Sequence, residues 1–427
     1  MNNCIFFLFF FLLCFSLSTL IISKYDFLEP ANLFNLTALL SCSLALVNSV
    51  KWNLFIGFET FIIVIYGVFS FTLGYFISEV LKNDRIINAK RENEISIIIM
   101  KKNRVILLYS IMIVMFFFAF KEVYNLSIAL GNNDGIYNMI KTVRYPLERQ
   151  EISFSRWFFY IMYISQCISY VAFYVYAFNL LKNKNNITYL CLSMLFIPFT
   201  ILTTGRLDML CYLLYCTTTL SILLLRKYNF SLVIKFKILY MCFACIAVFI
   251  LLFFTYGNLT GKVISVNRTP LTILAHYGGL SYPALDLFLQ NTRLEDNLIG
   301  GNTLLGVYSN LRFFDIELPK VNVFLEFVQF DGIDTNVYSC FRRYIADYGI
   351  IGMGCILTTF GMLYSFAYDY VKYHINIFST ILYSSFVWCV IMSFHDEKFL
   401  MSIINTATVY KSLLIFIIIK YCIKLQE

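Results

Sequence analysis

Long apolar runs without any charged residue constrain the fold of this chain more than any other feature. The first run extends from Cys4 to Ser23 without a single charged side chain. A helix of about 20 apolar residues crosses the roughly 30 Å hydrocarbon core of a bilayer. Soluble domains carry nearer a quarter charged residues, whereas this chain carries 14%. The sequence therefore predicts an all-α integral membrane protein that crosses the bilayer many times.

The apolar runs predict about 11 (10–12) transmembrane helices. They lie near residues 4–23, 33–50, 54–80, 105–120, 157–181, 188–204, 207–225, 238–256, 346–367, 375–393 and 401–419. The first run is longer than the apolar core of a signal peptide and is followed by charged residues, so we expect it to remain as a span. No internal repeat or low-complexity linker interrupts the chain. We therefore expect one polytopic domain over 1–427, with a large loop at 257–345 that forms short helices capping the bundle.

The basic residues predict the orientation, because short loops rich in Lys and Arg stay in the cytoplasm. Sixteen of them fall in loops 82–104, 182–187 and 226–237, in the turn 368–374, and in the tail after Ile419. These segments are therefore expected on the cytoplasmic side and the large loop on the opposite side. The net charge of +8 is scattered through membrane-flanking loops, which indicates topology rather than nucleic acid binding.

The two sides differ in the cation that they use. The cytoplasmic segments hold twelve Lys and four Arg, whereas the opposite segments hold five Lys and nine Arg. Arginine grips phosphate through two parallel hydrogen bonds, and lysine does not. The outer arginines together predict a bound diphosphate or acidic sugar. The alternative interpretation is that each arginine at a span end is merely solvated.

Arg206 stands in a Thr204-Gly205-Arg206 turn between two apolar runs. The turn is expected at the membrane surface, with Gly205 allowing the chain to reverse. A charge near hydrocarbon is costly unless it is paired or faces an aqueous cavity. Arg206 is therefore either a ligand-binding residue or the ion-pair partner of Asp208.

A second polar stretch, from Asp334 to Gly349, leads directly into a predicted span. Its amide, phenol and guanidinium groups suit a ligand that combines sugar hydroxyls with phosphate. The candidates for sugar contacts are Asn336, Tyr338 and Tyr344, and the candidates for phosphate contacts are Arg342 and Arg343. Asp347 is either a catalytic base or a cap of the helix that follows.

Other chemistry-bearing residues are few. His276 is the only histidine in the large loop, and histidine often serves as a general base near neutral pH; its alternative role is structural. His395 stands in the turn 394–398, which is expected to be hydrated. Lys411 lies inside the last predicted span and must face the bundle or a polar partner. The thirteen cysteines lie mostly in apolar runs, where cysteine behaves as a small hydrophobe, so neither a disulfide framework nor a metal site is expected.

Two of these stretches resemble the Wzy-type O-antigen polymerases, which join oligosaccharide repeat units in bacterial surface polysaccharide and lipopolysaccharide biosynthesis. One is the turn Thr204–Arg206. The other is Asn336-Val337-Tyr338, followed by Phe341-Arg342 and Asp347-Tyr348-Gly349. The family commonly has Asp-Phe-Gly at the last of these motifs, and this chain has Tyr348 in place of the phenylalanine. Many spans and a large outer loop in the C-terminal half also match the family.

The resemblance implies a glycosyltransferase without metal or cofactor at the periplasmic face of the cell inner membrane. Its substrates would be undecaprenyl-diphosphate-linked oligosaccharides, with a flippase and a chain-length regulator of the same pathway as possible partners. The resemblance and the phosphate chemistry together assign Arg206, Arg342 and Arg343 to the diphosphate, with Arg312 and Arg268 as additions. The catalytic base follows from chemistry alone, with His276 as the first candidate and Asp347 as the second.

Three other functions stay open. An O-antigen ligase shares the architecture and the donor but transfers to the lipid A core. A flippase or transporter of lipid-linked oligosaccharide would more often show repeated halves and charges inside the membrane, which this sequence lacks apart from Lys411. A non-catalytic assembly protein of the same pathway is the third.

Overall fold

The structure is a computed structural model that describes residues 3–82, 97–136, 138–149, 151–259, 270–291, 300–313 and 325–426. It is mostly helical, at 77%, which confirms the all-α expectation. Within these ranges nine helices are long and apolar enough to cross a membrane. The chain therefore has the character of a polytopic membrane protein.

The described helices follow one another through the whole chain. In order they are α1 (Asn3–Ile22), α2 (Pro30–Asn48), α3 (Phe58–Leu81), α4 (Lys102–Ala129), α5 (Met139–Glu148), α6 (Arg156–Leu181), α7 (Ile187–Met194), α8 (Phe196–Leu202), α9 (Leu207–Lys227), α10 (Leu232–Leu259), α11 (Pro270–Gly279), α12 (Ser281–Asn291), α13 (Leu305–Phe313), α14 (Cys340–Tyr373), α15 (Ile377–Ile391), α16 (Phe399–Ile403) and α17 (Thr406–Cys422), with a 3-10 turn at Met392–Phe394. The strands are β1 (Ile97–Met100), β2 (Val328–Phe330), β3 (Ile333–Thr335) and β4 (Ile423–Gln426). β1 pairs with β4 and β2 pairs with β3, both antiparallel.

Two of the eleven predicted spans differ from the other nine. The run 188–204 forms two short helices, α7 and α8, because Pro198 has no N–H for the helical bond to residue 194 and its ring crowds that carbonyl. The run 401–419 corresponds to α17, which has 17 residues. At about 1.5 Å per residue, α17 falls short of the roughly 30 Å of hydrocarbon.

The described residues form two compact units. Unit 1 comprises Met1–Ala89, Thr269–Tyr373 and Phe386–Thr408, and unit 2 comprises Lys90–Arg268, His374–Ser385 and Val409–Glu427. Unit 1 holds the described part of the large loop from Pro270 onward and the Asn336–Gly349 stretch. Unit 2 holds the Thr-Gly-Arg turn. The expectation of a single domain over 1–427 stays a prediction.

Close backbone contact between α3 and α14 forms the core of unit 1. A Cβ atom added at Gly74 would lie 2.1 Å from the carbonyl oxygen of Thr358, and one added at Gly361 would lie 2.0 Å from that of Phe71. Thr358 also donates a hydrogen bond of 3.0 Å to the carbonyl oxygen of Ser70. Only residues without a side chain allow two helices to approach this closely.

The large loop packs against the first helices of unit 1. In α2, Ser41 donates a hydrogen bond of 2.7 Å to the carbonyl oxygen of Gly278. The carboxylate of Asp286 accepts hydrogen bonds from the backbone N–H of Gly57 at 2.7 Å and from the hydroxyl of Thr60 at 2.5 Å. The loop contains short helices as expected, together with an unforeseen hairpin of β2 and β3. Its role as a periplasmic cap stays a prediction.

Unit 2 has an aromatic core around α6. The rings of Tyr170 and Tyr215 stack at 3.9 Å, and the Tyr215 hydroxyl donates to the carbonyl oxygen of Tyr170 at 2.7 Å. At the end of α6 the side-chain amide of Asn179 bonds both backbone groups of Ile98. This bond fixes the β1–β4 pair to the helix.

Candidate functional site

The Asn336–Gly349 stretch begins just after the β2–β3 hairpin and ends at a break within α14. Gly349 has φ 68° and ψ −179°, which are not helical angles, so residues 340–348 form a helical segment separate from 350–373. Glycine adopts this backbone conformation without the strain that a side chain brings. The predicted polar residues from Arg342 to Asp347 therefore lie on a short helical segment of their own, and Asn336 and Tyr338 precede it.

Arg343 is bound on several sides. Only 2% of this residue is exposed. Its Nε donates to Asp396 Oδ1 at 2.7 Å, its Nη2 to Asp396 Oδ2 at 3.3 Å, and its Nη1 to the carbonyl oxygen of Asn302 at 3.1 Å. These bonds hold a buried charge in place. We therefore interpret Arg343 as a positioning residue.

Asp396 is the centre of this network. Lys398 Nζ lies 2.9 Å from its Oδ2, the oxygen that also accepts from Arg343 Nη2. Burial by itself raises the pKa of the Asp396 carboxyl, but Lys398 and Arg343 outweigh burial and lower the pKa to about 2. Neighbouring Glu397 is fully buried and accepts bonds from the Tyr344 hydroxyl at 2.8 Å and from two backbone N–H groups. The expectation of a hydrated turn at 394–398 is wrong.

Asp347 holds the turn at residues 300–304. Its two carboxylate oxygens accept hydrogen bonds from four donor groups, the backbone N–H and the side chain of both Asn302 and Thr303, at 2.8–3.1 Å. The Thr303 hydroxyl also bonds the hydroxyl of Tyr348 at 2.9 Å. Asp347 thus binds the turn just before α13, whereas the sequence had suggested a cap of the helical segment that follows Asp347. A role as base would require it to give up some of these bonds.

Arg342 has a different environment from its neighbour. Its guanidinium lies between two aromatic rings, 4.5 Å from the centre of Phe288 and 4.8 Å from that of Tyr338. Its Nη2 forms an ion pair with Glu326. Its Nε is buried and has no hydrogen-bond partner among the described residues. Arg342 is therefore held in orientation by rings and keeps an unsatisfied donor.

Glu326 is a residue that the sequence did not single out. Its side chain is 50% exposed, although its carboxylate contacts a buried arginine. The Tyr338 hydroxyl donates to Glu326 Oε1 at 3.3 Å. Burial works to raise the pKa of Glu326, but the hydrogen bond and charge of Arg342, together with bonds from the Glu326 backbone and from Tyr338, outweigh burial and hold the pKa below its usual range. Of the three residues Arg342, Tyr338 and Glu326, which we call the Arg342 cluster, Glu326 has the accessible side chain.

The remaining predicted residues of unit 1 lie near these groups. His276 Nε2 is 2.7 Å from the carbonyl oxygen of Asp334; because a carbonyl only accepts, Nε2 must carry the proton, and proton transfer would fall to Nδ1. Tyr338 and Tyr344 are fully buried, so we interpret both as positioning residues rather than sugar contacts. Asn336 is partly exposed and remains available to a sugar.

Arg206 lies in unit 2. Its guanidinium carbon stands 3.8 Å above the centre of the Phe253 ring, and a Cβ atom at Gly257 would lie 2.5 Å from its Nη2. The left-handed residue of the turn is Thr204, with φ 59°, and not Gly205 as expected. A β-branched residue in this region is strained.

Asp208 contacts groups that the sequence did not single out as its partners, and its pairing with Arg206 stays a prediction. It is hydrogen-bonded to Thr203 and lies within electrostatic range of Lys411. Lys411 in turn lies 4.7 Å from the centre of the Tyr163 ring. The lysine inside the last predicted span thus faces polar and aromatic groups of unit 2.

Two predicted arginines fall outside what the structure describes. Arg268 lies outside the described residues, and Arg312 belongs to α13 with a side chain that is not described. Among the described residues no three His, Cys, Asp or Glu side chains gather in a way that could hold a metal ion. No known protein family, curated protein or solved structure matches this chain. A function is therefore argued from the residues and their geometry.

Proposed function

We propose that this chain is a membrane glycosyltransferase of the O-antigen polymerase type. It joins oligosaccharide repeat units carried on undecaprenyl diphosphate, at the periplasmic face of the bacterial inner membrane. The observation that carries the proposal is Arg342. Its guanidinium packs against two rings, has one donor without a hydrogen-bond partner among the described residues, and pairs with a half-exposed counter-ion. Such a guanidinium is suited to exchange its carboxylate for a phosphate.

The chemistry needs a fixed positive charge at the leaving group. In the proposed reaction a hydroxyl of the incoming lipid-linked unit attacks the anomeric carbon of the growing chain, and undecaprenyl diphosphate leaves. A fixed arginine stabilises the developing charge because its donors are oriented before the reaction begins. Arginine also binds phosphate oxygens through two parallel bonds. No cofactor is part of the proposal.

Other predicted residues support Arg342. Arg343, Asp347 and Tyr344 tie α14 to the turn at 300–304 and to the turn at 394–398, and so fix the helical segment that carries Arg342. Asn336 is the proposed sugar contact. His276 remains a candidate base through Nδ1. Arg206, Arg312 and Arg268 remain candidate diphosphate ligands.

The test is chain extension by purified protein. The protein in detergent or proteoliposomes receives a lipid-linked repeat unit alone, and the products are separated by length. We expect lipid-linked chains of two or more units, and we expect EDTA to leave the yield unchanged. Arg342→Ala should lower the rate at least about 100-fold, the scale of losing a preorganised charge contact.

Arg149→Ala is the matched control, because this arginine is 74% exposed and has only a 3.8 Å contact with Glu151. It should extend chains at the normal rate. Three results would contradict the proposal. Transfer only when lipid A core is supplied indicates a ligase, and movement of the substrate across the bilayer without bond formation indicates a flippase. Full activity of Arg342→Ala removes this arginine from the site.

A further inference from the structure

The contact between Arg342 and Glu326 joins a buried group to an accessible one. The arginine is 7% exposed and held between the rings of Phe288 and Tyr338. The side chain of Glu326 is 50% exposed, and this residue lies just before β2. Of the two partners, therefore, Glu326 has the freedom to move and Arg342 does not.

A buried guanidinium strongly favours keeping a counter-charge. Removing one partner of a buried ion pair is costly because it leaves an uncompensated charge behind. An incoming diphosphate can supply that charge, and its oxygens match the planar donors of arginine. Arg342 Nε has no hydrogen-bond partner among the described residues, so the arginine has one more donor to offer than Glu326 uses.

We propose that Glu326 is a displaceable counter-ion: the diphosphate of the substrate takes its place on Arg342, and the released carboxylate accepts the proton of the attacking hydroxyl. Only the second step, in which Glu326 accepts the proton, rests on the proposed function. It assigns the catalytic base to Glu326 instead of His276 or Asp347. The first step concerns anion binding and holds for any ligand that carries a diphosphate.

The proton transfer balances without an additional reactant. The acceptor hydroxyl passes its proton to the Glu326 carboxylate while its oxygen forms a bond to the anomeric carbon. The bond from that carbon to the diphosphate oxygen breaks, and its electron pair leaves with the diphosphate held by Arg342. The proton on Glu326 then passes to water, which restores the carboxylate and its contact with Arg342.

The exchange also changes the strength of the base. While Arg342 is bound, it holds the pKa of Glu326 below its usual range, and a carboxylate of low pKa is a weak base. In the part of the chain that the structure describes, the charged and titratable side chains that act on Glu326 are Arg342 and Tyr338. Once Arg342 binds diphosphate, the pKa of Glu326 returns toward its usual range. The base is thus activated by the binding of its own substrate.

The first experiment measures binding of inorganic diphosphate to the purified protein by calorimetry at neutral pH. Glu326→Gln keeps the size of the side chain but removes the competing charge, so we expect diphosphate to bind at least about fivefold more tightly, within the usual range of coupling between sites. Glu151→Gln, at an exposed carboxylate beside an arginine, should bind as the unmodified protein does. Unchanged or weaker binding by Glu326→Gln overturns the proposal.

A double variant assigns the gain to the right arginine. Glu326→Gln combined with Arg342→Gln should lose the tighter binding, because the guanidinium that receives the diphosphate is gone. Retention of the gain in the double variant would place the diphosphate elsewhere and overturn the proposal. Thermal melting of each variant separates loss of binding from loss of folding.

The second experiment measures chain extension with the lipid-linked repeat unit. Glu326→Gln should extend chains at least about 100-fold more slowly, which is the lower range for general base catalysis, although it binds diphosphate more tightly. Glu326→Asp should recover part of the rate. Normal extension by Glu326→Gln overturns its role as base. If the unmodified protein forms no glycosidic bond, the proposed function fails, while the diphosphate measurement still decides the counter-ion exchange.

Discussion

Arg342 and Arg343 are neighbours in the chain but have different surroundings. Successive residues of a helix point about 100° apart, so one side chain reaches Asp396, 53 residues away, and the other reaches Glu326, 16 residues away. The sequence predicted both arginines as phosphate ligands because the residue types are identical. Their partners depend on tertiary packing, which no local pattern encodes. The structure therefore separates a positioning arginine from one that is suited to bind a ligand.

The network at Asp396 makes a prediction about stability. Asp396→Asn removes the counter-charge of Arg343, which is 2% exposed, and should lower the free energy of unfolding by about 3–5 kcal/mol, as for other broken buried ion pairs. Thermal or denaturant unfolding in detergent measures this loss. Glu151→Gln, at a carboxylate that is 57% exposed, is the control and should unfold as the unmodified protein does.

The same network predicts the pH dependence of that loss. The pKa of Asp396 is lowered from 3.8 to about 2 in the folded state, so its stabilisation is fully present above the ordinary value and disappears as the pH falls through about 2. The difference between Asp396→Asn and the unmodified protein should therefore shrink only below about pH 4. A difference that vanishes already near neutral pH would contradict this assignment.

Arg206 leads to a further prediction at the scale of one residue. Arg206→Lys keeps the charge but loses the planar group that stacks on Phe253 at 3.8 Å, so we expect chain extension to fall about tenfold or more. Gly257→Ala places a Cβ atom 2.5 Å from Arg206 Nη2 and should lower activity through displacement of the same guanidinium. Normal activity in both variants, measured by chain extension, would remove Arg206 from the functional residues.

At the scale of elements, apolar runs predicted the long helices well, while breaks and hairpins were missed. Pro198 divides a predicted span because proline disrupts a helix interior, and that signal was present in the sequence. The dipeptide Asp331-Gly332 between apolar neighbours is likewise a strong hairpin signal, and Phe330 pairs with Ile333 across it. The break at Gly349 could not be foreseen, because glycine also occurs within continuous membrane helices.

The contact between α3 and α14 predicts which glycines the fold requires. Gly74→Ala would place a Cβ atom 2.1 Å from a backbone oxygen of the facing helix, and backbone cannot move aside as a flexible side chain can. We expect a loss of at least about 1–3 kcal/mol in unfolding free energy, the usual cost of overpacking. Gly205→Ala is the control, since its Cβ would stay 3.9 Å from the nearest atom. Equal melting temperatures of the two variants would contradict the tight packing.

At the scale of the molecule, the described part of unit 1 has polar groups at both ends of α3. Asp286 bonds Gly57 just before the helix, and Lys82 just after it pairs with Asp369. The 24 residues of α3 are about 36 Å long at the usual rise, enough to cross the hydrocarbon core. The contact therefore brings Lys82 and Asp369, one residue from each of two predicted cytoplasmic segments, together at the same end of α3. Which side faces the periplasm stays a prediction, since it depends on charge counts alone.

The measurement that tests the proposed function most directly is the length distribution of surface glycan, resolved on a gel. Cells that lack this protein should carry single repeat units and no ladder, because the proposed function of this protein is to join the lipid-linked units. Restoring the unmodified protein or Arg149→Ala should restore the ladder, whereas Arg342→Ala should not. A full ladder in cells without the protein would contradict the account.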